Sequence, residues 1–144
     1  MIFLKIALII FIVLETLNVL MLYFAPELNK GNSMGIFKAY EKTKDDPEIH
    51  AMVRYLVNWV AGTKLVFIAL LIVILVVGDD RIMLPALAAL IFSILTYFWR
   101  LHPAIKKMDE SGQLVQKGYS RTLAITILAF CILFFIAIHI FVLS

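Results

Sequence analysis

Four runs of about 20 mostly apolar residues divide this chain, and that length is what a helix needs to cross the hydrocarbon core of a bilayer. The runs lie at residues 2–24, 55–77, 82–102 and 121–143. In lipid, a spanning segment must satisfy its backbone N–H and C=O groups internally, so each run reads as a helix. The expected fold is all-α: a polytopic, four-transmembrane-helix antiparallel bundle forming one integral membrane domain over residues 1–144. Composition agrees. The chain is 63% hydrophobic and 16% charged, where a soluble domain carries about 25% charged residues. The bilayer is therefore the first expected partner, and no nucleic-acid partner is expected. A single cysteine, Cys131, excludes an intramolecular disulfide and a cysteine metal cluster. The first run is longer than the core of a signal peptide. No small-x-small cleavage site follows it, only Phe24-Ala25-Pro26-Glu27, so it reads as a retained helix.

Local signals set the boundaries. Pro26 stops the first helix. Asp46 as N-cap, Pro47 at the first helical position and Glu48 in the first turn start the second helix early. It should project about two turns out of the bilayer before Tyr55. Gly78-Asp79-Asp80 makes a tight polar turn. The third helix tolerates Pro85 in its first turn, continues past Pro103 with a kink, and ends at Gly112. Ser120 is the expected N-cap of the fourth. In the first connection, Met34, Phe37 and Tyr40 recur at three-residue spacing with lysines and Glu41 opposite. This reads either as a short amphipathic interfacial helix or as a loop helix packed on the bundle ends.

Charge placement gives an orientation. The face with both termini carries Lys5 and Arg81; the other face carries Lys30, Lys38, Lys42, Lys44, Arg54, Arg100, Lys106, Lys107, Lys117 and Arg121. Ten against two predicts a multi-pass protein of the cell membrane, with both long connections cytoplasmic and both termini outside.

Against this background Glu15 and Lys64 stand out, because each is a charge inside a spanning run and needs a partner or a wet cavity. Glu15 lies nine residues before Phe24, and Lys64 nine residues after Tyr55. In antiparallel helices both reach a depth of roughly 13 Å below the same surface. An ion pair is then geometrically open, as is a Lys64 that snorkels outward on its own stem. Asn18 follows Glu15 at i+3 on the same face. Arg54, Asn58 and Gly62 form an i+4 stripe bordered by Ala61, with Lys64 on its flank. Ser93 and Thr96 on the third helix, and Thr122 and Thr126 on the fourth, read as close-packing positions with modest interhelical hydrogen bonds. Arg100 reads as an interfacial anchor or a phosphate contact. The candidate binding residues are Glu15, Asn18, Arg54, Asn58, Lys64 and Arg100. His50, His102 and His139 have no metal-ligand spacing. No phosphate loop, nucleophile elbow or dinucleotide fingerprint is present, so no catalytic residue or cofactor is assigned.

The layout, and Arg54-Tyr-Leu-Val-Asn58-Trp-Val-Ala61 in the second helix, resembles the family of membrane-associated proteins in eicosanoid and glutathione metabolism. That family's pattern is Arg-x-x-x-Asn-x-x-Glu; here Ala61 stands at the glutamate position. The resemblance implies a trimer holding glutathione or a lipid between subunits, with Arg54 and Asn58 in the binding site.

Three functions follow from these residues. The first is a site at Glu15 and Lys64 that binds or moves a proton, ion or small polar solute, in a homo-oligomer. The second is a membrane-embedded glutathione- or lipid-transferase-like enzyme. The third is a non-catalytic partner or scaffold subunit whose polar residues only specify packing.

Overall fold

The computed structural model describes residues 1–143, and they are helical with no strand among them. In chain order the helices are α1 (Ile2–Phe24), α2 (Lys38–Thr43), α3 (Pro47–Val77), α4 (Asp80–Leu95), α5 (Tyr97–Glu110) and α6 (Tyr119–Leu143). A 3-10 turn, Met34–Ile36, precedes α2. Four helical units, with α4 and α5 taken as one, are long and apolar enough to cross a membrane.

Capping explains where α3 and α4 begin. The Asp46 carboxylate accepts the N–H groups of Glu48 and Ile49, at 3.1 and 3.2 Å. Asp79 does the same for Arg81 and Ile82, both at 3.1 Å. Each carboxylate satisfies donors that a first turn leaves unpaired. The other two expected signals fall differently. The irregularity in the third spanning unit is at Thr96, whereas Pro103 lies inside α5 without ending it. Thr96 Oγ1 donates to the Ser93 carbonyl at 2.6 Å, and Thr96 N reaches the same oxygen at 3.2 Å. A hydroxyl that competes for a ladder carbonyl in this way bends a helix. Ser120 is not the N-cap of α6 but sits in its first turn. The cap comes from Asp109 at the end of α5, whose Oδ1 accepts Gly118 N–H at 2.9 Å. Its Oδ2 accepts both the N–H (2.9 Å) and the hydroxyl (2.7 Å) of Ser120.

The inward faces follow heptad-like spacing, the pattern of side chains that meet a neighbouring helix. On α1 the buried residues Leu4, Leu8, Phe11, Val19 and Leu22 form one stripe. On α3 the buried stripe is Val57, Ala61, Ile68 and Leu71. α1 packs against α3 on one side and α6 on the other; α4 and α5 pack against α6. Thr122 and Thr126 of α6 are exposed rather than closely packed as expected. The hydroxyls expected to bond between helices serve their own: Thr126 donates to Thr122 O at 3.0 Å, and Thr122 to Gly118 O at 3.4 Å.

The two long connections are stitched together. Lys38 N–H donates to Gln113 O at 3.0 Å, and Val115 N–H to Ile36 O at 2.9 Å, around an antiparallel bridge of Phe37 with Leu114. Ile36, Ile105 and Leu114 form a small second core beneath this bridge. Gln116 Nε2 adds a bond to Asn29 O at 2.8 Å. Both connections therefore lie at one end of the molecule and form one layer over it.

Candidate functional site

Glu15 and Lys64 occupy the gaps in the two inward stripes. Between Phe11 and Val19 the register of α1 falls on Glu15. Between Ala61 and Ile68 the register of α3 falls on Lys64. Because α1 and α3 pack on those faces, the two side chains meet, with Lys64 Nζ 2.7 Å from Glu15 Oε2. The side chains keep 28% and 20% of their exposure respectively, so the pair is partly rather than fully enclosed. Lys64 thus lies within the inward stripe of α3, whereas Asn58, whose stripe it was expected to flank, is exposed.

The pair borders two cavities. One, of about 420 Å³, opens between α1 and α6. Leu14, Leu17, Met21 and Phe130 give it apolar walls; Glu15, Asn18, Thr122 and Thr126 supply polar atoms. The other, of about 410 Å³, lies between the α4–α5 unit, α6 and the first connection, with Glu15 and Lys64 at its border. Lys64, Ser93, Thr96 and Tyr97 are among its lining residues. Both volumes fall in the range of small-molecule pockets, roughly 300–1,000 Å³. Glu15, Asn32, Tyr119 and Leu123 border both cavities and so form the wall between them. Tyr119 is held in that wall by its hydroxyl, which reaches Gly31 O at 2.7 Å and Asn32 Oδ1 at 2.8 Å. Two acceptor atoms on α1 lack partners here. Asn18 Oδ1 is buried and has no hydrogen-bond partner among the described residues. Glu15 Oε2 takes Lys64, and no described donor reaches its second oxygen.

The other expected site residues are not part of this arrangement. Arg54 borders a separate cavity of about 350 Å³ beside the end of α1, with Pro26 and Glu27. Asn58 is exposed on the outer face of α3. Arg100 is exposed too, with its guanidinium 5.4 Å from the centre of the Trp99 ring. The structure therefore brings together Glu15, Asn18 and Lys64, and leaves Arg54, Asn58 and Arg100 apart. Tyr119 and Asn32 are not among the residues expected at the site from sequence. Their place in the dividing wall depends on contacts between the two connections, which no spacing within one helix encodes.

Chemically, a carboxylate and an ammonium in contact, each facing an apolar cavity, can trade each other for a ligand group of matching charge. No family model matches the chain, and no curated protein or solved structure matches it either.

Proposed function

We propose that this chain is a small multi-pass protein of the cell membrane that binds a small solute at the Glu15–Lys64 pair and lets it move between the two cavities. In this reading the four spanning units form an antiparallel bundle, and the stitched connections are the cytoplasmic layer with α2 at the interface. The ten basic residues assigned to that end favour this orientation. One four-helix chain is small for a complete pathway, so the working unit is a homo-oligomer. The observation that carries the reading is the position of Glu15, ion-paired to Lys64 and bordering both cavities at once. Packing alone does not call for a charge at that depth.

Reconstitution in liposomes tests it. Solute or proton flux through the native chain should depend on Glu15, and Glu15→Gln should abolish it. A variant that folds and carries undiminished flux removes the carboxylate from the mechanism. Loss of folding alone, repaired by exchanging the two charges with no flux in any variant, would favour a packing role.

A further inference from the structure

We infer that the cavity between α1 and α6 takes a protonated primary or secondary amine carried on an apolar tail. This rests on the reading of Glu15 as a binding centre and names the ligand class. Two acceptors on adjacent turns of α1 lack partners beside this cavity: the second oxygen of Glu15 and the buried Oδ1 of Asn18. They are three residues apart in sequence and lie on one helix face. The hydroxyls and the Gln116 amide around them already donate within the protein. Thr122 and Thr126 bond to backbone carbonyls of the preceding turn, Tyr119 to Gly31 and Asn32, and Gln116 to Asn29.

A ligand that completes this set must bring N–H donors, and a positive charge matches the carboxylate. Lys64 does not border this cavity, and Lys30, which does, is exposed. An anion in this cavity would therefore meet the Glu15 carboxylate with no cation lining the cavity at that depth. The remaining walls, Leu14, Leu17, Met21 and Phe130, suit an alkyl or aryl tail. The same chemistry is offered by a free lipophilic amine and by an aminophospholipid headgroup.

The test uses the full chain in phosphatidylcholine nanodiscs at neutral pH, titrated with octylammonium, octyltrimethylammonium and octanoate. The shared octyl tail makes partitioning into the bilayer a common background. Octylammonium should bind at least about tenfold more tightly than octyltrimethylammonium, which has the charge but no N–H. Asn18→Leu, close in volume to the native residue, should weaken octylammonium binding several-fold, and Glu15→Gln should abolish it. Asn18→Leu keeps the test valid should Glu15→Gln fail to fold. Adding phosphatidylethanolamine to the nanodiscs separates the sources: competition with octylammonium assigns the site to a lipid headgroup, and unchanged affinity assigns it to a free amine. Equal binding of the two cations, or indifference to Asn18→Leu, overturns the inference. Octanoate binding that depends on Lys64, without octylammonium binding, overturns the amine class and leaves the Glu15–Lys64 site standing. If no probe responds to either charge, the site reading fails with it.

Discussion

Lys64 and Glu15 pair at 2.7 Å from matching gaps in the inward stripes of α3 and α1, and the two side chains differ in what they can do alone. An unpaired Lys64 has a four-carbon stem that can carry its ammonium toward the headgroups. An unpaired Glu15 has a short stem and stays at depth. Lys64→Met should therefore destabilise more than Glu15→Gln. Breaking a fully buried pair costs 3–5 kcal/mol; with 28% and 20% exposure here the loss should be about 2 kcal/mol for Lys64→Met. Exchanging the charges, Glu15→Lys with Lys64→Glu, should recover at least about 1 kcal/mol of coupling. Denaturant unfolding of the four variants in mixed micelles measures this. The reverse ranking, or additive effects, would show that the pair contributes nothing to the fold.

Asp109 gives a pH-dependent joint at the start of α6. The Ser120 hydroxyl, then the Ser120 and Gly118 N–H groups, hold its carboxyl below the usual carboxylate range. A carboxyl whose folded pKa is depressed contributes its full stabilisation above the unfolded value, about 3.9, and loses it as pH falls through the lower folded value. The melting temperature of the native chain should exceed that of Asp109→Asn by a constant margin at neutral and mildly acidic pH. The two curves should converge only below about pH 4. Other carboxylates titrate in both proteins and cancel in the difference. At neutral pH the loss of the cap should cost about 1 kcal/mol. Curves that stay parallel down to strong acid would mean that Asp109 is not the cap.

The spanning helices were legible because hydropathy and capping are local. Asp46 and Pro47 announce the start of α3 whatever surrounds them. The level match of Glu15 with Lys64 was also legible, since the rise per residue converts sequence distance to depth. Which side of each helix faces its neighbours was not. A helix meant for lipid is apolar all round, so the contrast that marks a buried face in water is missing. This is why the Asn58 stripe of α3 read as inward although Asn58 is exposed. The Asp109–Ser120 cap and the Phe37–Leu114 bridge were hidden for another reason: they join residues from different elements with no periodic signal. The Tyr119 and Asn32 positions around the cavities depend on those same joints.

Two glycines separate steric from conformational demand. A Cβ at Gly35 would run into the backbone carbonyl oxygen of Glu27 and lie 2.7 Å from that of Leu28, where the first connection leaves α1. Backbone cannot step aside as a side chain can. At Gly112, φ is +69° and a Cβ would meet nothing within 4 Å, so only the left-handed conformation is at stake. Gly112→Ala should cost about 1 kcal/mol. Gly35→Ala forces backbone apart and should cost more, about 2–3 kcal/mol. Thermal unfolding of the two variants side by side decides the order, and equal melting temperatures would count against the close approach at Gly35.

Phe11 is where three helices meet through aromatic rings. Its ring lies 6.2 Å from Phe67 of α3, and 5.2 and 5.5 Å from Phe130 and Phe134 of α6, in edge-on arrangements. Each such pair adds roughly 0.5–1.5 kcal/mol beyond area burial. In water, Phe→Ala at a site this buried costs 3–5 kcal/mol, part of it the transfer of the ring from solvent. In a bilayer the transfer part falls away, because acyl chains are as apolar as the core, and packing is what remains. Phe11→Ala should therefore cost about 2 kcal/mol, less than the aqueous value. Phe135→Ala on the outer face of α6, where the ring is 58% exposed, is the matched control and should change little. The two variants, unfolded in the same mixed micelles, give the comparison. A loss at Phe135 equal to that at Phe11 would mean that a partner packs on the outer face of α6 and that α1 is not the hub of the fold.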